Sequence, residues 1–295
     1  MSESTEQVPK AELARRLGVS RGSLYYQHKQ PDKDEELRLL IEAVMLENPG
    51  YGHRRVADAL KISKERARRV MRKYHLKPAR RAKAPRKVED EGRPPEKYPS
   101  VTTSWCPSVP HLVWASDFTY ISWHGIFVYL ATILDLFTGE VLAAQVMLSH
   151  PAELVLRPLL AALLRTGVVP EWFHSDQGSE YISEAVRALL ELVGTQVSMS
   201  PKQAPWRNGS QESFFGRFKV EFGDPERFET LDQLVEALYQ HIAYFSSVRI
   251  KNRLHMSPLE FRKRWMAAHP DYAGKKLSRR QRRLILEKPA FEIAL

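Results

Sequence analysis

A chain of 295 residues, 43% hydrophobic and 27% charged, holds apolar material for about two folded domains, which excludes a wholly disordered protein. Its formal net charge of +10 points to an acidic partner, and no run of about 18 apolar residues is present to span a membrane. The single cysteine, Cys106, excludes an internal disulfide and a Cys-paired zinc finger.

The positive charge is concentrated. Residues 61–87 carry thirteen Lys/Arg against one acid and residues 275–288 carry seven against one, leaving the remainder net negative. Two basic arms on an otherwise acidic chain are the pattern of a protein that neutralises nucleic-acid phosphates. The polar stretch Met1 to Lys10 has no signal-peptide core, so a cytoplasmic protein is expected.

In chain order, residues 1–32 contain a helix-turn-helix-like segment: a helix from Ala11, a turn at Gly18 and a second helix started by Ser20. Residues 33–77 predict a second, better-formed helix-turn-helix. Leu37, Leu40, Ile41, Val44 and Met45 make one apolar face, Pro49-Gly50 breaks it, Arg54 to Leu60 is a short helix, and Ala67, Val70, Met71 and Tyr74 make a third. Ser63 is expected to cap that third helix, which reads as the recognition helix. Arg54, Arg55, Lys64, Arg66, Arg68, Arg69, Arg72 and Lys73 are the candidate DNA contacts here. Residues 78–110, with seven prolines, predict an extended basic linker.

The region 111–270 predicts an α/β core. Strands near 112–121, 126–135 and 140–147 form an antiparallel meander. Helix 152–165, strand 170–175, helix 181–193, strand 195–198 and a helix from about 210 follow, with outer helices near 231–245 and 258–268. Residues 271–295 read as a basic C-terminal tail.

Three acids stand out within this core. Asp117 lies in the β-branched and aromatic run Trp114 to Ile121, where a lone carboxylate is out of place unless something binds it. Asp176 ends the short strand 170–176, the edge at which open α/β sheets place ligands. Glu212 shares a helix with Phe214, Phe218 and Phe222, whose spacing turns them to the core and leaves Glu212, Gly216 and Lys219 on another face. Carboxylates from separate segments suit magnesium, and two such ions serve in-line phosphoryl transfer. Lys219 is placed to hold a DNA phosphate as a point charge. The loop 200–209 brings Trp206 and Arg207 as further DNA contacts, with anchoring of the loop the favoured role of Trp206 over stacking on a base. His174 reads as a packing residue, Asp135 as a turn cap, and Glu180, Glu184 and Glu221 as members of solvated helix faces.

The words Trp114-x-x-Asp117-x-Thr119-Tyr120-Ile121, Leu134-Asp135-Leu136-Phe137, His174-Ser175-Asp176-x-Gly178-Ser179-x-Tyr181, Glu212-Ser213-Phe214-Phe215 and Ser257-Pro258-x-Glu260-Phe261 occur in order, with 35 residues between the second and third acids. In these the chain resembles the OrfB-type DDE transposases of bacterial insertion sequences, which have a retroviral-integrase-like catalytic core. It departs from them at Pro205-Trp206-Arg207-Asn208, where an acid commonly precedes the asparagine, and at Arg249-Ile250-Lys251, where Arg-x-His is common.

The resemblance implies an RNase H-like mixed five-stranded sheet with flanking helices, preceded by all-α helix-turn-helix modules. It makes Asp117, Asp176 and Glu212 the catalytic and metal-binding triad, with two Mg2+ ions or Mn2+ as a substitute, and Lys219 the basic residue that follows. It implies cleavage and 3′-OH transfer at terminal inverted repeats through a circular intermediate. The partners are then double-stranded DNA at transposon ends and target, further copies of the chain in a homo-oligomer, and an OrfA-type protein, all on a bacterial nucleoid. A catalytically inactive DNA-binding regulator and an RNase H-like nuclease without strand transfer are the alternative readings.

Overall fold

The computed structural model describes residues 9–24, 30–80, 107–200 and 209–287. Most of the expected linker, and with it Cys106, lies outside them, as do Trp206 and Arg207.

The first described helix is α1 (Lys10–Leu17), closed by Gly18 in the left-handed conformation at φ 63°, which glycine adopts at least cost. The helix expected after it is, among the described residues, a 3-10 turn at Arg21–Leu24. Three helices then form a small unit: α2 (Gln30–Glu47), α3 (His53–Leu60) and α4 (Lys64–Lys73). Their core is Leu37, Ile41, Tyr51, Val56, Ala57, Ala67, Val70 and Met71. Leu40, expected on that apolar face, is instead 55% exposed, because α2 is covered on one narrow stripe only. Ser63 caps α4 as its position predicts, its hydroxyl accepting from Arg66 N at 3.2 Å.

The main sheet consists of β1 (Val113–Trp123), β2 (Ile126–Asp135), β3 (Val141–Met147), β5 (Trp172–Ser175) and β6 (Gln196–Met199) in the order β3-β2-β1-β5-β6. β4 (Val168–Val169) stands apart from it. β1 is antiparallel to β2 and β2 to β3, whereas β5 is parallel to both β1 and β6. This is the mixed five-stranded sheet that the resemblance implies.

Strand alternation gives each face its own core. On one side Trp114, Ile133 and Phe173 meet α5 (Glu153–Thr166) and α6 (Glu184–Val193). On the other, Ile121, Val128, Leu130 and Leu134 meet α7 (Gly209–Phe222) and α8 (Leu231–Ser247). Phe214, Phe215, Phe218 and Phe222 fill this second core, as their helical spacing requires.

After α9 (Pro258–Ala268), the expected basic tail carries regular structure. Residues Lys275–Lys276 form β7 against β4, and α10 (Arg279–Glu287) sets the fully buried Ile285 into the first core. Of its apolar run Leu284-Ile285-Leu286 only Ile285 is buried, and the first turn is arginine-rich. No described helix is long and apolar enough to cross a membrane.

Candidate active site

Asp117 pairs in register with Thr132 of β2, so both side chains leave the sheet on the side covered by α7. Gln211 of α7 docks there: its amide nitrogen donates to Ala115 O at 2.7 Å and its amide oxygen accepts from Thr132 Oγ1 at 3.3 Å. Gln211 is fully buried, and Glu212 is the next residue, exposed. A single buried amide thus fixes the first turn of α7 beside the strand that carries Asp117.

Asp176 follows β5 directly, one strand over from β1. Its Oδ1 accepts from Gly178 N at 2.9 Å, an Asx turn that aims the carboxylate. A Cβ at 178 would come within 2.8 Å of Glu180 Oε2 and 3.1 Å of Asp176 Oδ1, so a larger residue there would push these two acids aside.

Burial, then Asp176, then Glu212 push the Asp117 carboxyl up to about 7, although Phe118 N–H donates to its Oδ1 at 2.8 Å. Burial and Glu180 raise Asp176 as well, against the Gly178 N–H. Like charges have therefore been gathered between the middle of β1 and the end of β5. Glu212 contributes least, and among the described residues no three His, Cys, Asp or Glu side chains are close enough to enclose an ion unaided. The second oxygen of each aspartate accepts from no described residue, so hard oxygen donors remain open to a divalent cation.

Several expectations for neighbouring residues are met. Asp135 caps its turn, Oδ1 accepting from Thr138 N at 2.7 Å and from Thr138 Oγ1 at 2.9 Å. His174 is buried between Ser198 Oγ at 2.8 Å and Ser200 Oγ at 3.1 Å. Others are corrected. Glu180 is buried and bonded to His150 Nδ1 at 2.7 Å rather than solvated. Glu221 is buried under Arg249, which donates through Nε and Nη2 at 2.6 Å each. Arg55, expected on DNA, turns inward to Glu221 at 3.6 Å and over the Tyr51 ring at 5.1 Å. Lys251 is also inward, donating to Gly139 O at 2.8 Å, and burial lowers its pKa to about 8.

The remaining basic positions divide into two groups. Arg54, Lys64, Arg66, Arg68 and Arg72 are exposed, whereas Arg69 and Lys73 hold the buried Asp34 of α2 at 2.7 and 3.2 Å. Lys219 is exposed on α7, donating to Tyr120 O at 2.7 Å with its ammonium 4.9 Å from the Tyr120 ring centre. Gln211 escaped sequence reading, and the burial of Glu180 beside Asp176 was missed. Gln211 had a signal, because it continues the core stripe 214, 218, 222 one turn backward. Glu180 had none.

The chain matches the family model for the integrase core domain over residues 107–205, and a second model of the same description over residues 212–266. It is 30% identical over 210 residues to an uncharacterized transposase-like protein of Haemophilus influenzae, a match covering 70% of this chain and 96% of that one. This chain belongs to the integrase-core transposases of bacterial insertion sequences. The transposase is also 29% identical over 275 residues to the putative transposase InsK for insertion sequence element IS150 of Escherichia coli, covering 89% of this chain and 96% of that one. Among solved structures it is similar to a chain of the simian T-cell lymphotropic virus intasome in complex with PP2A regulatory subunit B56 gamma, with a TM-score of 0.48, 16% identity, and coverage of 58% of this chain and 60% of that one. As a DDE transposase the protein is a polynucleotidyl transferase, and its substrate is DNA. Asp117 and Asp176 fall within the first matched span, and Glu212 opens the second.

Proposed function

We propose that Asp117, Asp176 and Glu212 are the catalytic carboxylates of this transposase. In this reading it cleaves one strand at the terminal inverted repeats of its element and transfers the freed 3′-hydroxyl to a new phosphodiester. The observation that carries this is the convergence at Asp117, whose carboxyl is raised to about 7 by burial, Asp176 and Glu212. Such a cluster is costly without a cation and is stabilised by one.

Asp117 and Asp176 would hold divalent metal through their open oxygens, with Glu212 completing the set from α7. When bound, a pair of Mg2+ ions, or Mn2+ in their place, supplies Lewis-acid activation of the attacking oxygen and neutralises charge on the leaving one. The chain's own residues position the reaction. Gln211 holds the first turn of α7, Gly178 admits Asp176 to the site, and Lys219 meets a phosphate beyond Glu212. In-line attack by water or the 3′-hydroxyl displaces the other strand oxygen directly, so no covalent protein intermediate forms.

The unit 33–77 would bind the terminal repeats through the exposed Arg54, Lys64, Arg66, Arg68 and Arg72, with 1–32 as a helix-turn-helix-like extension. The region 111–270 is then the catalytic core, joined by the linker 78–110. The protein would act as a homo-oligomer on DNA in the bacterial cytoplasm, at the nucleoid, with or without an OrfA-type partner.

The deciding measurement compares wild type with Glu212→Gln on intact and pre-cleaved terminal duplexes in magnesium. Cleavage and joining should both fall by about two orders of magnitude or more, with melting unchanged. Equal joining by the two proteins would overturn the assignment. Cleavage without joined product from a pre-cleaved end would make the protein a nuclease.

A further inference from the structure

Between the three-helix unit and α7 lies a cleft of about 530 Å3, with Gly52, Arg54 and Arg80 on one wall and Glu212, Gly216 and Arg217 on the other. Its remaining charged lining residues, Arg55 and Glu221, face each other, and Glu221 is neutralised by Arg249. Arg217 differs from these. It has no hydrogen bond or ion pair to any described residue, and the same holds for Arg54 and Arg80. Partial burial, then the adjacent Arg249, lowers the Arg217 pKa, and Glu221, already held by Arg249, offsets this only in part. Arg217 also lines a second cavity of about 560 Å3, together with Lys251 and Arg253.

A guanidinium presents a rigid fork of donors that matches phosphate geometry bidentately. Two glycines on opposing walls leave room for a backbone to pass closely. The cleft opens at Glu212 and borders the helical unit.

We propose that this cleft seats a phosphodiester strand of the DNA next to the bond that is cleaved, and that Arg217 grips one of its phosphates. The inference rests on the reading of Glu212 as a catalytic carboxylate. One stretch of DNA then runs from the helical unit to the active site within a single chain. Arg54 and Arg80 line the far wall, and the grip sets register without reading sequence.

The test is a chemical double-mutant cycle on the full chain. Duplexes carrying one neutral methylphosphonate at successive positions around the cleaved bond are bound by wild type and by Arg217→Ala. Arg217→Ala should weaken binding of the unmodified duplex by about 10- to 100-fold. One neutral position within a few nucleotides of the cut should cost wild type a similar factor and cost the variant nothing further. Arg217→Lys should recover part of the loss. If Arg217→Ala melts early, Arg217→Gln takes its place in the same cycle. Wild-type affinity in the variant, or equal penalties in both proteins at every position, overturns the proposal. With Glu212→Gln inactive, that result rejects the cleft alone. An active Glu212→Gln instead rejects the catalytic reading and leaves the phosphate contact standing.

Discussion

Glu212 and Glu221 occupy opposite ends of α7 and meet opposite fates. Glu221, 3% exposed, receives two charge-assisted bonds from Arg249 and lies 3.6 Å from Arg55. Gly50 presses on it so closely that a Cβ there would fall 2.1 Å from Glu221 Oε1. Glu212 faces the open cleft. The same side chain on the same helix becomes a structural clamp where a guanidinium is bonded to it, and a candidate ligand where it is exposed and bonded to no described residue. The Glu221 end also joins the two parts of the molecule: Tyr51 OH accepts from Ile250 N at 2.6 Å and Tyr244 OH donates to Asn48 Oδ1 at 2.6 Å. The helical unit is thereby seated on α8 and the residues after it, and through Arg55 and Gly50 it meets the Glu221 end of α7.

Removing the clamp should have the largest effect on stability. Glu221→Ala leaves Arg249 buried without its partner, and urea denaturation should show a loss of about 3–5 kcal/mol. A loss below about 1 kcal/mol would mean that the clamp does not exist in solution. At the other end, Glu212→Gln should leave the denaturation midpoint unchanged while abolishing joining.

The acid pair gives a pH signature of a few kcal/mol at most. Asp117 has a folded pKa of about 7 against an ordinary value of 3.8. The folded state therefore binds more protons between those values, and stability falls as pH rises from about 4 to 7. Melting followed over that range in chelator should show the decline, and Asp117→Asn should flatten it. Magnesium should raise the wild-type melting point most at the alkaline end, where Asp117 has lost its proton. A wild-type curve as flat as that of the variant would refute the convergence of charge.

The smallest expected effect is at Gln211. Gln211→Ala removes three buried contacts to Ala115 and Thr132 and should cost about 1–3 kcal/mol. Turnover on saturating DNA should drop more than apparent affinity, since the change displaces Glu212 and leaves the DNA-binding surfaces untouched. An affinity loss with normal turnover would place Gln211 outside the active site's support.

Much of this was legible because it rests on short-range physics. The strand meander shows in its alternation, and the turns at Gly125 and Gly139 show in residues that adopt positive φ. Ser257-Pro258-x-Glu260 is a helix start in its own chemistry, a serine accepting from Glu260 N with proline at the first helical position. The phenylalanine stripe of α7 declared its buried face. The errors fall where burial depends on a distant partner. Glu180, Glu221 and Arg55 have local patterns indistinguishable from solvated helix positions, and Ile285 sits in a short apolar run, Leu284-Ile285-Leu286, within a basic segment. Each was placed by contact with an element far along the chain.

The sequence by itself determined the order of the main strands and helices and the family, and it singled out the three acids, two of them 35 residues apart, as candidates. Backbone periodicity and local capping set the first, and the words around each acid set the others. Only the tertiary structure decided which charges are free to act. A carboxylate or guanidinium commits to a partner through space, and desolvation fixes that choice: Glu221 and Arg55 are bound inward, while Asp117 and Arg217 remain without a counterion among the described residues.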